Sequence, residues 1–136
     1  MRPILLDTCA LLWVGNDDRL SAQAQQALEE ADDAPGAIMV SPISSWEIGQ
    51  LAARGRLMLP MEPLAWFQSA LDNGFSLSPI TPAILVGSSY LPGTRLRDPA
   101  DRILAATARA LGYRLMTRDR PLLQLADEGH IQALAC

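Results

Sequence analysis

The chain has 136 residues, 49% of them apolar, with a net charge of −4 and one histidine. That suits a single domain, 1–136, with its own core; it is too apolar for a disordered chain and too acidic for a generic basic nucleic-acid binder. No apolar run approaches the ~20 residues that cross a bilayer, Met1 to Asp7 is too short and too soon acidic for a secretion signal, and Cys9 and Cys136 give no disulfide framework, so a cytoplasmic setting without a membrane is expected.

Pro3 to Leu6 reads as a buried central strand, with Asp7-Thr8 opening a helical turn through Trp13. Asn16-Asp17-Asp18 is a turn. Ser21 is an N-cap for a helix from Ala22 to Ala31, broken by Asp32 to Gly36. Ala37 to Val40 is a second strand. Ser44 or Ser45 caps a helix from Trp46 to about Ala53, with Ile48, Leu51 and Ala52 as its apolar face and Gly55 as its stop. Leu59 to Pro63 is a connector, and Leu64 to Leu71 a helix ended by Gly74. Phe75 to Ile80 reads as a short strand, at an edge because of Pro79.

Thr81-Pro82 starts a helix to about Tyr90 by the pairing of a capping residue with proline at the first helical position. A loop with Pro92-Gly93 covers Leu91 to Arg97. Asp98-Pro99 opens the best helix of the chain, Pro99 to Leu111, closed by Gly112. Tyr113 to Thr117 is a strand, Pro121 to Ala126 a short helix, and Ile131 to Leu134 a last strand. Strands alternating with helices over short connections imply an α/β fold: a mostly parallel sheet covered by helices.

Four acids stand just after apolar runs or near helix starts: Asp7, Glu47, Asp101 and Asp119. In a parallel sheet the C-terminal strand ends line up at one edge, where sites form. Carboxylates gathered there repel one another and call for a hard cation, Mg²⁺ or Mn²⁺, both of which favour oxygen ligands. Each acid also has a purely structural reading. Asp7 caps a helix, Asp98 and Asp101 form a capping arrangement, Glu47 favours a helix dipole, and Asp119 is a turn residue.

Thr8 and Thr117 are hydroxyls beside two of the acids, able to orient a carboxylate, a water or a phosphate. All eleven basic residues are arginine, and seven of them lie in residues 95–120 against three Asp, so this stretch is locally basic. Arg97, Arg102 and Arg118 are thus candidates, with the two threonines, for contacts to a phosphate backbone. His130 alone cannot make a histidine-rich zinc site, and no phosphate-binding glycine motif follows the first strand. Met58, Leu59, Met61, Leu64, Trp66 and Phe67 cluster around the proline-rich connector as a candidate groove for a partner helix.

The ordered set Leu5-Leu6-Asp7-Thr8, Ser45-Trp46-Glu47-Ile48, Arg97-Asp98-Pro99-Ala100-Asp101-Arg102 and Leu115-Met116-Thr117-Arg118-Asp119 resembles PIN-domain ribonucleases of the VapC toxin type along almost the whole chain. The resemblance implies a three-layer α/β/α sandwich and Mg²⁺- or Mn²⁺-dependent cleavage of RNA, neutralised by a cognate antitoxin, with homodimers common in the family. It implies Asp7, Glu47, Asp101 and Asp119 as catalytic and metal-site acids, with Asp98 joining or replacing Asp101; Asp101 is favoured because Asp98 is needed as a cap. Cys9 and Thr94-Arg95-Leu96 stand where close relatives often carry histidine. The alternatives are a metal-dependent phosphohydrolase acting on DNA or nucleotides, and a non-catalytic protein-binding module whose acids are caps.

Overall fold

Ile4, Leu5 and Leu6 have no accessible surface, because β1 (Ile4–Leu6) is the middle strand of a five-stranded sheet. A computed structural model of the chain describes residues 2–93 and 96–136; Thr94 and Arg95, two of the loop residues singled out above, lie outside the described residues. The strand order is β3-β2-β1-β4-β5, with β2 at Ile38–Val40, β3 at Ser76–Leu77, β4 at Arg114–Thr117 and β5 at Gln132–Ala135. Every pairing is parallel, as the alternation of strands and helices implied.

The two-residue period of the strands separates two cores. Ile4, Leu6, Ile38, Val40 and Met116 face one layer, where they meet Leu11 of α1 (Thr8–Gly15), Ala24 and Ala27 of α2 (Ala22–Ala31), Ile48 of α3 (Pro42–Ala53), and Trp66 and Phe67 of α4 (Pro63–Asp72). Leu5, Met39 and Leu115 face the other. There they meet Leu104, Ala105 and Ala108 of α6 (Pro99–Leu111) and Leu122 and Leu125 of α7 (Arg120–Asp127). The remaining helix, α5 (Pro82–Ser88), packs on α6. Each large side chain buried this way contributes about 1.5–3 kcal/mol. The result is the expected three-layer α/β/α sandwich.

Two glycines are required by geometry. Gly112 ends α6 in the left-handed region at φ 71°. Gly15 lets the indole of Trp66 lie against α1: a Cβ there would stand 2.5 Å from Trp66 Cζ2.

Several boundaries differ from the expectation. The helix expected from Trp46 begins four residues earlier, at Pro42, and its cap is Ser41, whose Oγ accepts from Ile43 N at 3.1 Å. Ser44 and Ser45 therefore lie inside α3. Their hydroxyls are used elsewhere, Ser45 donating to the Pro42 carbonyl at 2.6 Å. The expected strand Phe75 to Ile80 shrinks to the edge pair Ser76–Leu77, because Pro79 cannot continue a ladder. In contrast, α2 and α6 keep the expected limits, each being set by a cap with no competing serine or proline nearby.

Candidate active site

Asp7 is fixed before any long side chain matters. Its backbone N–H donates to Met116 O at 3.1 Å, joining the ends of β1 and β4. Its extended backbone then turns into α1, and Oδ1 accepts from Ala10 N at 2.7 Å. The chain runs from β1 to β2 and β3 on one side, then crosses to β4 and β5 on the other. The crevice between β1 and β4 is therefore the topological switch point, where parallel α/β sheets bind ligands. Asp7 and Asp119 flank it. Asp119 follows β4, caps α7 and accepts from Leu122 N through Oδ2 at 3.2 Å. It was read as a possible turn residue; it is an N-cap.

Thr117 links these two acids. Its buried hydroxyl accepts from Asp119 N at 3.0 Å and, near the Asp7 carboxyl, opposes the rise in that group's pKa. Glu47 arrives from the other side, on α3. With that helix starting at Pro42, Glu47 lies in its second turn, not the first, so the helix-dipole reading of it falls away. It is held by the Thr8 hydroxyl, which donates to Glu47 Oε1 and stands 2.9 Å from Ser44 Oγ. Asp101 is the third residue of α6, and its backbone N–H donates to Oδ2 of the exposed cap Asp98 at 2.9 Å.

The carboxyl groups sense one another. Asp101 is pushed up to about 7, first by burial and then by the charges of Asp98, Asp119, Glu47 and Asp7. Burial also raises Asp7, with Asp119 adding to the effect and Thr117 and Ala10 opposing it. Glu47 rises by burial and by the charges of Asp98 and Asp7, against the Thr8 hydrogen bond. The Cys9 thiol beside them is raised to about 11 by burial and by Asp7, Glu47, Asp101 and Asp119, so it stays protonated and is a poor nucleophile.

An all-oxygen, mutually repelling donor set is the chemistry of a hard dication site. Among the described residues no three His, Cys, Asp or Glu side chains already surround one point as a metal cage. Mg²⁺ retains several waters and needs only one or two direct carboxylates, so the set fits such an ion without a preformed cage.

The arginines divide. Arg97 is exposed beside Asp98. Arg102 is half-buried and donates to the carbonyls of Ser88 and Leu96, which makes it a strut between α5, the loop and α6. Arg118 stacks 3.7 Å from the Trp13 ring centroid and donates to Arg19 O and Cys136 O. Thr8, also a candidate for substrate contact, is buried and spends its hydroxyl on Glu47. The residue that sequence reasoning missed is Ser44, read only as a helix cap. The available signal was its spacing, three residues before Glu47 and so on the same helical face.

A PIN-domain family model matches residues 4–128. The chain is 37% identical over 123 residues to Ribonuclease VapC22 of Mycobacterium tuberculosis (strain ATCC 25618 / H37Rv), covering 90% of this chain and 91% of that protein. A toxin-antitoxin complex from Klebsiella pneumoniae contains a chain that is 25% identical with TM-score 0.57, covering 85% of this chain and 86% of that one. A chain of DNA-bound VapBC from Salmonella typhimurium shares the fold at TM-score 0.71 and 13% identity, with 99% and 98% coverage.

Proposed function

The chain belongs to the PIN-domain family, and from that premise we propose that it is a metal-dependent endoribonuclease toxin that hydrolyses RNA phosphodiester bonds and is neutralised by a cognate antitoxin. The observation that carries this reading is the placement of Asp7 and Asp119 at the ends of β1 and β4, the switch point, with Glu47 tied to Thr8 next to Asp7 and Asp101 opening α6.

Asp7, Asp101 and Asp119 would hold Mg²⁺ or Mn²⁺, with Glu47 completing the shell directly or through water and Asp98 as the outer acid. A bound dication of this kind lowers the pKa of water and neutralises charge on a phosphoryl oxygen. The chain's own contribution is orientation. Asp7 and Asp119 each have one oxygen tied to a helix N-terminus and the other left for a ligand. Thr117 holds the backbone of Asp119, and Thr8 holds Glu47. Arg97, exposed next to the acids, supplies positive charge for the RNA backbone. Arg102 and Arg118 act on the substrate through the loop and helix they hold.

The antitoxin would cover the apolar surface beside α4. Met58 is 93% and Leu64 76% exposed, next to a cleft of about 330 Å³ lined by Leu11, Val14, Met61, Trp66 and Phe75. This narrows the groove expected from the sequence, since Phe67 is buried in the core and Trp66, 7% exposed, meets the cleft only with an edge. A second copy of the chain would cover Trp46, Leu85, Val86 and Tyr90, exposed apolar residues of α3 and of the α5 region. We further propose that the 136 residues act as one domain in the cytoplasm; no helix among the described residues is long and apolar enough to cross a membrane.

The test is cleavage of RNA by purified protein. EDTA abolishes it, Mg²⁺ restores it, and Asp7→Asn loses it. Equal cleavage by the Asp7→Asn protein overturns the proposal, and cleavage of DNA or nucleotides in place of RNA redirects it to the phosphohydrolase reading.

A further inference from the structure

Resting on that reading of the site, we propose that Ser44 is a positioning residue for Glu47, acting through Thr8 in a directed chain of hydroxyls between α3 and α1. The direction follows from counting hydrogens. A threonine hydroxyl has one hydrogen, and Thr8 gives its hydrogen to Glu47 Oε1. Thr8 Oγ1 also lies 2.9 Å from Ser44 Oγ. In that contact Thr8 can only accept, so Ser44 donates. The chain therefore runs Ser44 to Thr8 to Glu47.

The surroundings make this chain specific. Ser44 is fully buried and Thr8 is 6% exposed, so bulk water does not substitute for either partner. The neighbouring Ser45 follows the ordinary helical habit and donates to a carbonyl of its own helix, that of Pro42. Ser44 turns away from its helix to a residue 36 positions earlier. Thr8 is also the first residue of α1, adjacent to Asp7. Ser44 thus couples the placement of Glu47 to the strand end that carries Asp7. A hydroxyl polarised by a second donor is a stronger donor itself. Oε1 of Glu47 is held by this chain, and Oε2 is left for the ion or its waters.

Two measurements test the relay. The first is a melting-temperature cycle in metal-free protein with Ser44→Ala, Glu47→Ala and the double variant. Acting through Thr8, Ser44→Ala costs about 3 °C more in wild type than in the Glu47→Ala background; equal costs in both backgrounds overturn the relay. The second is Mn²⁺ affinity. Ser44→Ala and Thr8→Val each weaken it about tenfold, the range for removing a ligand's supporting partner. Thr8→Ser, which keeps the hydroxyl, retains the affinity. Unchanged Mn²⁺ affinity in both Ser44→Ala and Thr8→Val also overturns the relay. A wild type that binds no Mn²⁺ overturns the metal reading instead, and the melting cycle then decides the relay by itself.

Discussion

The acids of the site come in two pairs that are built differently. Asp7 and Asp119 follow strands and serve as helix caps, each with one oxygen bound by a backbone N–H three residues ahead. Glu47 and Asp101 sit inside helices, where the backbone amides are already used. The strand-end pair is therefore placed by the fold itself. The helix-borne pair depends on side-chain neighbours: Thr8 for Glu47, and for Asp101 a cluster of like charges that a proton or a cation relieves. The first pair is a frame tied to the backbone, and the second has no such tie.

The largest expected effect tests the frame. Asp7→Asn keeps the cap, because asparagine caps as well as aspartate, so the melting temperature stays within a few degrees. RNA cleavage falls by more than the ~10–100-fold that loss of a ligand's supporting partner costs. A fall in melting temperature parallel to the loss of cleavage would assign Asp7 to the structure alone.

The next effect separates the two candidates for the third ligand. Asp101→Asn reduces cleavage at least tenfold more than Asp98→Asn when both are assayed at saturating Mg²⁺, since Asp101 is half-buried among the acids and Asp98 is exposed. The reverse order would move the ligand to Asp98.

A smaller effect concerns pH and tests the helix-borne pair. Asp101 has an ordinary value of 3.8 and is raised to about 7 in the fold. Its stabilising contribution is complete below the ordinary value and is lost as pH rises through about 7. Metal-free protein therefore melts a few degrees lower at pH 8 than at pH 5, by differential scanning calorimetry. Asp7 and Glu47, also raised, act in the same direction. Asp101→Asn flattens this slope. Saturating Mg²⁺ raises the melting temperature most at pH 8, because the ion binds the ionised form.

The smallest effect returns to the frame. Asp119→Ala removes a cap worth about 1 kcal/mol, which lowers the melting temperature by roughly 4 °C, while Asp119→Asn leaves it unchanged. Equal melting temperatures for the two variants would show that the cap contributes nothing at this helix.

What was legible in the sequence follows the same division. The strand-end acids could be read because caps, prolines and apolar runs are local signals. Asp98-Pro99 to Gly112 marked α6 from end to end, and the alternation of strands and helices implied the shared edge, whereas the β1–β4 switch point emerges only from the folded strand order. Ser41-Pro42 carries the same local signal as Thr81-Pro82, yet Ser44 and Ser45 obscured it by offering later caps for α3. The contact from Thr8 to Ser44 spans 36 residues and leaves no local trace. The arginines misled for a related reason. A charge pattern shows where guanidinium groups are, and only the folded chain shows that Arg102 and Arg118 are occupied by distant carbonyls.

The central position of β1 has a consequence for the timing of synthesis. β1 leaves the ribosome before both of its neighbours, pairing on one side with β2 and on the other with β4, where Ile4 faces Arg114. Contacts so distant in sequence form late. Asp7 cannot meet Asp119 until β4 has emerged and docked beside β1, so the four acids share one site only after that late pairing.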